Sequence, residues 1–164
     1  MQGQTGLAQL IAEGRAGSAP GHAHQPLGRE AATLLAEIPL FASLSKRHLG
    51  KVAGCASTKR YAPHTVIVHR GRPADAFYVI LDGTAHVDVP GREVTLHMGD
   101  FFGEMALIDG EPRSASVIAD SDVFALVIPR AKFLKLLESE PKITLGIMST
   151  LTRRIRDMQA GATI

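Results

Sequence analysis

The chain has 164 residues, of which 45% are apolar, enough for one domain with a sizeable core and too little for two full ones. Eighteen Lys plus Arg against sixteen Asp plus Glu leave a net charge of +2, too small by itself to imply a nucleic-acid or membrane surface. The single cysteine, Cys55, excludes an internal disulfide and fits a reducing compartment; no apolar run approaches the roughly 18 residues that span a bilayer, and Met1–Thr5 lacks a secretory start, so a cytoplasmic location is expected.

Residues 1–28 carry Gly3, Gly6, Gly14, Gly17 and Gly21 and few large apolar groups, so a flexible tail is expected, with a helical turn around Leu7–Ala12. His22 and His24 form a lone His-X-His in this polar stretch, which reads as solvated, and no metal is expected. Arg29–Glu37 has helix formers with Ala32, Leu35 and Ala36 at helical spacing, and Pro39 stops it. Ser45 is the N-cap of a second helix through Leu49 and Val52 to about Ala56, with Cys55 as a small buried helix residue. Short β-branched or aromatic runs follow at 65–68, 77–81, 85–89, 94–97, 116–119 and 123–128, with tight turns at Asp82-Gly83 and Pro90-Gly91. The expected fold class is α+β, mainly β: a jelly-roll barrel or sandwich with N-terminal helices, one inserted short helix and C-terminal helices.

After the last strand, residues 130–138 read as a helix with Phe133, Leu134 and Leu137 on one side, and Pro141 starts another. That final helix spaces Met148, Leu151, Ile155 and Met158 in a heptad-like seam. Two heptads fall short of a coiled-coil signal, so packing on the barrel and dimerisation both stay open. Arg153, Arg154 and Arg156 offer a DNA contact, but a solvated helix face is the commoner meaning of such a cluster. The domain is expected over 29–159, with 160–164 as a short C-terminal tail.

The segment from Phe101 to Val117 interrupts the strands and carries the chemistry. Gly103 lets backbone approach a ligand, and a helix starting there offers the N–H groups of Glu104, Met105 and Ala106 to an anion. Pro112 biases Glu111 away from helix, so the short helix ends near 108–110 and the chain turns Arg113 back toward the helix start. A guanidinium grips two phosphate oxygens as a fork, whereas a carboxylate accepts from sugar hydroxyls and repels phosphate. The ligand is thereby divided: ribose to Glu104, phosphate to Arg113, with the Ser114 hydroxyl and the Ala115 N–H as supporting donors. The competing reading makes Glu104 and Arg113 a structural ion pair and Phe101, Phe102, Leu107 and Ile108 ordinary core.

This segment resembles the phosphate-binding cassette of cyclic nucleotide-binding domains: Phe-Gly-Glu, aliphatic, Ala, aliphatic, a short loop, then Pro-Arg, small residues and Val. The likeness extends to Gly71, Asp75–Ile80, Gly83 and Gly99-Asp100, and at the N-terminal side to Ile38–Phe41 and Leu44-Ser45; it covers about Ile38 to Gln159. It implies that Gly103, Glu104 and Arg113 hold the ribose and cyclic phosphate, and that one of Thr152, Arg153 or Ile155 closes over the base. Ser114 stands where members selective for cyclic GMP often have threonine, which leans toward cyclic AMP, with cyclic GMP as the alternative. Bacterial regulators of the family commonly pair through the last helix, which raises the dimer. The chain ends where that helix should end, without the stretch a helix-turn-helix domain needs, and without a kinase, cyclase or channel segment. A stand-alone sensor acting on an effector protein or through a homodimer is expected, with no DNA-binding domain, membrane contact or cofactor. The alternative is a structural interaction module on the same fold that no longer responds to nucleotide. No enzyme is expected, because neither a metal-spaced His/Asp group nor a nucleophile with an adjacent base can be found.

Overall fold

The computed structural model describes residues 8–9, 11–12, 25–27 and 29–162; His22 and His24 lie outside them. Residues 8–9 and 11–12 are helical, and Ile11 packs against the core. Arg29–Glu37 is helical as expected but of the 3₁₀ kind, followed by a 3₁₀ turn at Pro39–Phe41. Pro39 forces Ile38 into extended backbone, and i to i+3 bonds such as Ile38 N–H to Leu35 C=O and Phe41 N–H to Ile38 C=O hold both turns tight. Helix α1 (Lys46–Cys55) starts at Ser45, whose Oγ accepts from the His48 N–H, and buries Leu49, Val52 and Ala53, with Cys55 half-buried at its end.

Among the described residues, nine strands make two antiparallel sheets. One has the order β1 (Gln25–Pro26), β2 (Ser57–Tyr61), β9 (Val123–Pro129), β4 (Ala76–Asp82), β7 (Phe101–Phe102); the other runs β3 (Val66–Val68), β8 (Ser116–Ala119), β5 (Ala85–Val89), β6 (Arg92–Leu96). This is the mainly β sandwich that the strand spacing predicts. The six runs read from the sequence are all strands, with ends within two residues of those expected. Three further strands are not legible in the pattern. Strand β2 is the polar Ser-Thr-Lys-Arg-Tyr, a strand because β9 pairs along its whole length. Strand β7 is two residues long, and β1 falls in the stretch read as a tail. There Gln25 and Pro26 pair with Thr58 and Ser57 on the sheet edge, where a proline is tolerated, and the buried Leu27 donates its N–H to Ala56 C=O.

Strands β4 and β9 are nearly all apolar because they are buried on both faces. Phe77, Val79 and Leu81 of β4 and Phe124, Leu126 and Ile128 of β9 face the helices, where Phe77 stacks on Phe133 at 4.4 Å between centroids. Tyr78 and Ile80, with Val123, Ala125 and Val127, face the second sheet. Helix α3 (Arg130–Ser139) and helix α4 (Pro141–Ala162) close the helical side, with Ile143 and Ile147 of α4 fully buried. Helix α4 runs past residue 159, into the stretch read as a C-terminal tail.

The β4–β5 turn admits no side chain at its glycine. Gly83 has φ +90°, and an added Cβ would overlap the carbonyl oxygen of Asp122. Gly83→Ala is therefore expected to lower stability by at least about 2 kcal/mol, backbone strain plus displacement of the facing loop, read as a lower urea midpoint at unchanged slope.

Candidate functional site

Strand β7 pairs with β4, Tyr78 opposite Phe102 and Val79 opposite Phe101, and so delivers Gly103 to the start of helix α2 (Glu104–Asp109). Gly103 caps α2 with φ +90°, and a Cβ there would lie 2.6 Å from the Arg113 Nη1, so only glycine lets that guanidinium lie across the helix start. Gly110 closes α2 through its N–H to Ala106 C=O, and the Asp109 carboxylate accepts from the Glu111 N–H at 2.9 Å, turning the chain into Pro112-Arg113. The expected helix end and return of Arg113 are both present. The Arg113 backbone is then clamped to the preceding loop, its N–H to Arg72 C=O and its C=O from the Gly71 N–H.

Arg113 is buried and held on three sides. Its Nη1 donates to Gly103 C=O at 2.9 Å, and its Nη2 to Ala76 C=O at 2.9 Å and to the Asp75 carboxylate at 3.2 Å. A guanidinium has five N–H donors, so Nε and one Nη1 hydrogen are not used by these three bonds. Tyr78 lies beneath the guanidinium at 5.9 Å and stacks on Phe102 at 4.9 Å; burial pushes the Tyr78 hydroxyl pKa up, so it is a neutral support.

Glu104 is 2% exposed and is not paired with Arg113. Its Oε1 accepts from Nη1 of Arg154 on helix α4 at 3.1 Å, while Nη2 of that arginine donates to Phe101 C=O at 3.0 Å and its guanidinium lies 5.2 Å over the Phe101 ring. The two charged cassette residues thus have different partners, and the reading of them as one structural ion pair does not hold. Burial raises the Glu104 pKa above the ordinary carboxylate range, opposed by its backbone hydrogen bond, by Arg154 and by Arg113.

The seven residues singled out in the sequence, Gly103, Glu104, Met105, Ala106, Arg113, Ser114 and Ala115, line one cavity of about 100 Å³ together with Val68, Val87, Phe102, Val117 and Arg154. A second cavity of about 450 Å³ adjoins it and shares Phe102, Met105, Ser114, Ala115 and Arg154 with it; its walls are Val87, Val89, Val94 and Leu96 on one side and Leu151, Ile155 and Met158 of α4 on the other. The first is polar, with two guanidinium groups and a helix N-terminus around one carboxylate. The second is mainly apolar, with Arg92 and Asp157 also on its walls. Together they suit a ligand with a phosphate and sugar at one end and a flat apolar group at the other.

The sequence reading passed over Arg154 and Asp75 as site residues. Arg154 was grouped with a solvated cluster, yet it follows Ile143, Ile147 and Leu151 at spacings of four, four and three, so it lies on the face that turns inward. That spacing was the available signal. Ile155 lines the apolar cavity as one of the three base-closing candidates, whereas Thr152 bonds back to Met148 C=O and Arg153 faces a different cavity beside Pro39 and Lys142.

A raised folded-state pKa means the folded chain keeps its Glu104 proton where the unfolded chain has lost it, so this group's contribution to stability falls as pH rises from the ordinary carboxylate value upward. Glu104→Gln has no such proton. The stability of the variant relative to the parent is expected to increase between about pH 4 and about pH 7, measured by urea unfolding across that range. A difference that stays flat would mean that folding leaves the carboxyl unshifted, and one that shrinks that its ionised form is favoured where it sits.

A family model for the cyclic nucleotide-binding domain matches residues 58–140. The chain is 40% identical over 106 residues to a cAMP-dependent protein kinase regulatory subunit from Aspergillus fumigatus, a match covering 63% of this chain and 26% of that one. It therefore spans about a quarter of the length of that relative. Among solved structures, the regulatory domain of Toxoplasma gondii PKA with cAMP superposes with a TM-score of 0.65 at 28% identity, over 79% of this chain and 50% of that one. The Thermus thermophilus catabolite activator protein does so with a TM-score of 0.66 at 27% identity, over 76% and 61%. The β-sandwich with flanking helices and the cassette of α2 and Arg113 are the fold and motif of that match: the chain belongs to the cyclic nucleotide-binding domain family.

Proposed function

We propose that the chain is a cyclic AMP sensor in which Glu104 accepts from the ribose hydroxyl, the α2 start, Arg113, Ser114 and Ala115 hold the cyclic phosphate, and α4 carries the signal. The observation that carries this is the burial of Glu104 and Arg113 side by side around one cavity with separate partners. Each charge is already desolvated and oriented, which suits a ligand that needs an acceptor and a cationic fork at fixed separation. Ser114 after the arginine and the cAMP-dependent relatives favour cyclic AMP over cyclic GMP. The base takes the apolar cavity between β5–β6 and Ile155. The role is regulatory rather than catalytic, and the site is cytoplasmic; among the described residues no helix is long and apolar enough to cross a membrane.

Titration calorimetry with cyclic AMP tests the binding. Arg113→Lys keeps the charge and loses the fork, and is expected to weaken cyclic AMP by at least about tenfold, about 1.4 kcal/mol, while unfolding stays cooperative. A 2′-deoxy analogue is expected to bind the parent about 1.5 to 3 kcal/mol more weakly and to show little further loss in Glu104→Gln. No heat with millimolar cyclic AMP, or an undiminished deoxy loss in that variant, would overturn these assignments.

The signalling step rests on Arg154. A carboxylate has acceptor sites for two partners, so Glu104 can hold the Arg154 guanidinium and a ribose hydroxyl together and tie helix docking to occupancy. Met148, Ile155 and Met158 are each more than half exposed on α4, and this seam is the surface offered to a second copy or an effector. Hydrogen exchange over residues 141–159 is expected to slow when cyclic AMP saturates, and the slowing to shrink in Arg154→Ala. Identical exchange with and without ligand would leave a binder that does not signal through this helix.

A further inference from the structure

A third cavity, of about 790 Å³, lies away from the cassette, between helices α1 and α3. Its rim is cationic: Lys46, Arg47 and Lys51 from α1 on one side, Lys132 and Lys135 from α3 on the other, all exposed, and no carboxylate lines it among the described residues. Five of the chain's eighteen lysines and arginines are gathered here, although the net charge is only +2. Lys51 is paired, at 3.7 Å from the Glu140 carboxylate; the other four have no carboxylate within 4 Å among the described residues. The floor is apolar and bare. Gly50 and Gly54 sit one turn apart on α1 and an added Cβ at either would meet nothing within 4 Å; Ala32, Cys55 and Leu136 add apolar surface, with Thr33 and Ser139 as the polar members of the lining.

We propose that this groove docks an acidic amphipathic helix of a partner protein, its apolar stripe on the glycine floor and its carboxylates on the two cationic rims. Lys46 to Lys51 spread over about 7 Å of α1 at 1.5 Å per residue, with Lys132 and Lys135 on α3 opposite, which suits a row of carboxylates better than one small anion. A nucleic-acid backbone would use the rims but gain nothing from an apolar floor. The chain's own residues 1–28 contain Glu13 as their one acid and do not complement five cations. Helix α1, ten residues or about 15 Å, sets the length of the contact at roughly three turns. The groove takes no part in the proposed nucleotide site, so the two can fail separately.

The test is fluorescence anisotropy on the full chain with a synthetic fluorescein-labelled peptide of about 15 residues, leucines along one helical face and glutamates flanking them. Saturable binding is expected, weakening steeply from about 0.05 M to about 0.5 M salt. Arg47→Glu/Lys132→Glu/Lys135→Glu is expected to weaken it at least about tenfold. Gly50→Leu, which fills the floor without changing charge and replaces glycine in a helix, is expected to do the same while the thermal melt stays cooperative. A shuffled peptide of identical composition that binds as well would overturn the proposal. So would parent-like affinity in Gly50→Leu, or heparin or duplex DNA displacing the peptide more effectively than its own unlabelled form.

Discussion

A carboxylate removed from water has to be paired or protonated, and the arrangement of this molecule around its ligand site turns on how that is met at Glu104. Strand β7 and the left-handed Gly103 bury this side chain beneath the sheet edge, and the guanidinium that reaches it comes fifty residues later, from α4. The same guanidinium donates to Phe101 C=O, so one side chain fixes α4 against both strand β7 and the first residue of α2. The same arginine borders the apolar cavity, where Leu151, Ile155 and Met158 of α4 stand opposite β5 and β6. Move α4 and the cavity loses a wall.

Arg113 is held by a different principle. Its guanidinium meets two backbone carbonyls and an exposed aspartate, so its orientation comes from neutral acceptors more than from an opposing charge. An arginine satisfied mainly by carbonyls keeps a net positive field, whereas one neutralised by a buried carboxylate would not. Asp75, the carboxylate that accepts from Arg113, is largely exposed, where water screens it. The polar cavity therefore favours an anion next to a carboxylate that favours hydroxyls. Separate counter-groups, Arg154 for one and backbone for the other, keep the two functions from cancelling.

The helical side carries the basic groove. Helix α3 sends Phe133 into the core to stack on Phe77, Leu136 to the floor of the basic groove, and Lys132 and Lys135 to its rim. Glu140, fully buried where α3 gives way to α4, takes Lys51 at 3.7 Å and His48 Nδ1 at 3.2 Å, and so ties α1 to the α3–α4 junction. The groove walls are thus tied by a buried acid, as the Glu104–Arg154 contact ties α2 to α4. The groove backs onto the helical face of β4 and β9, whereas Tyr78 beneath Arg113 belongs to their opposite face, toward the second sheet.

Much of this was written in local sequence. Residue type and spacing alone determined the six strands, the Ser45 cap, the short helix after Gly103 and the return of Arg113 after Pro112, because each depends on backbone preferences and side-chain chemistry within a few positions. Tertiary structure decided the rest. Ser57–Tyr61 has no strand pattern and became one because β9 offered its edge; Gln25–Pro26 was drawn onto β2 in turn; Arg29–Glu37 tightened to 3₁₀ against Pro39 and the core. Asp75 and Arg154 entered the site, and five cations met across two helices, through contacts between residues tens of positions apart. No periodicity records such pairings, since the chain fixes which face of a helix is apolar but only packing fixes what that face, and the arginine at its edge, will meet.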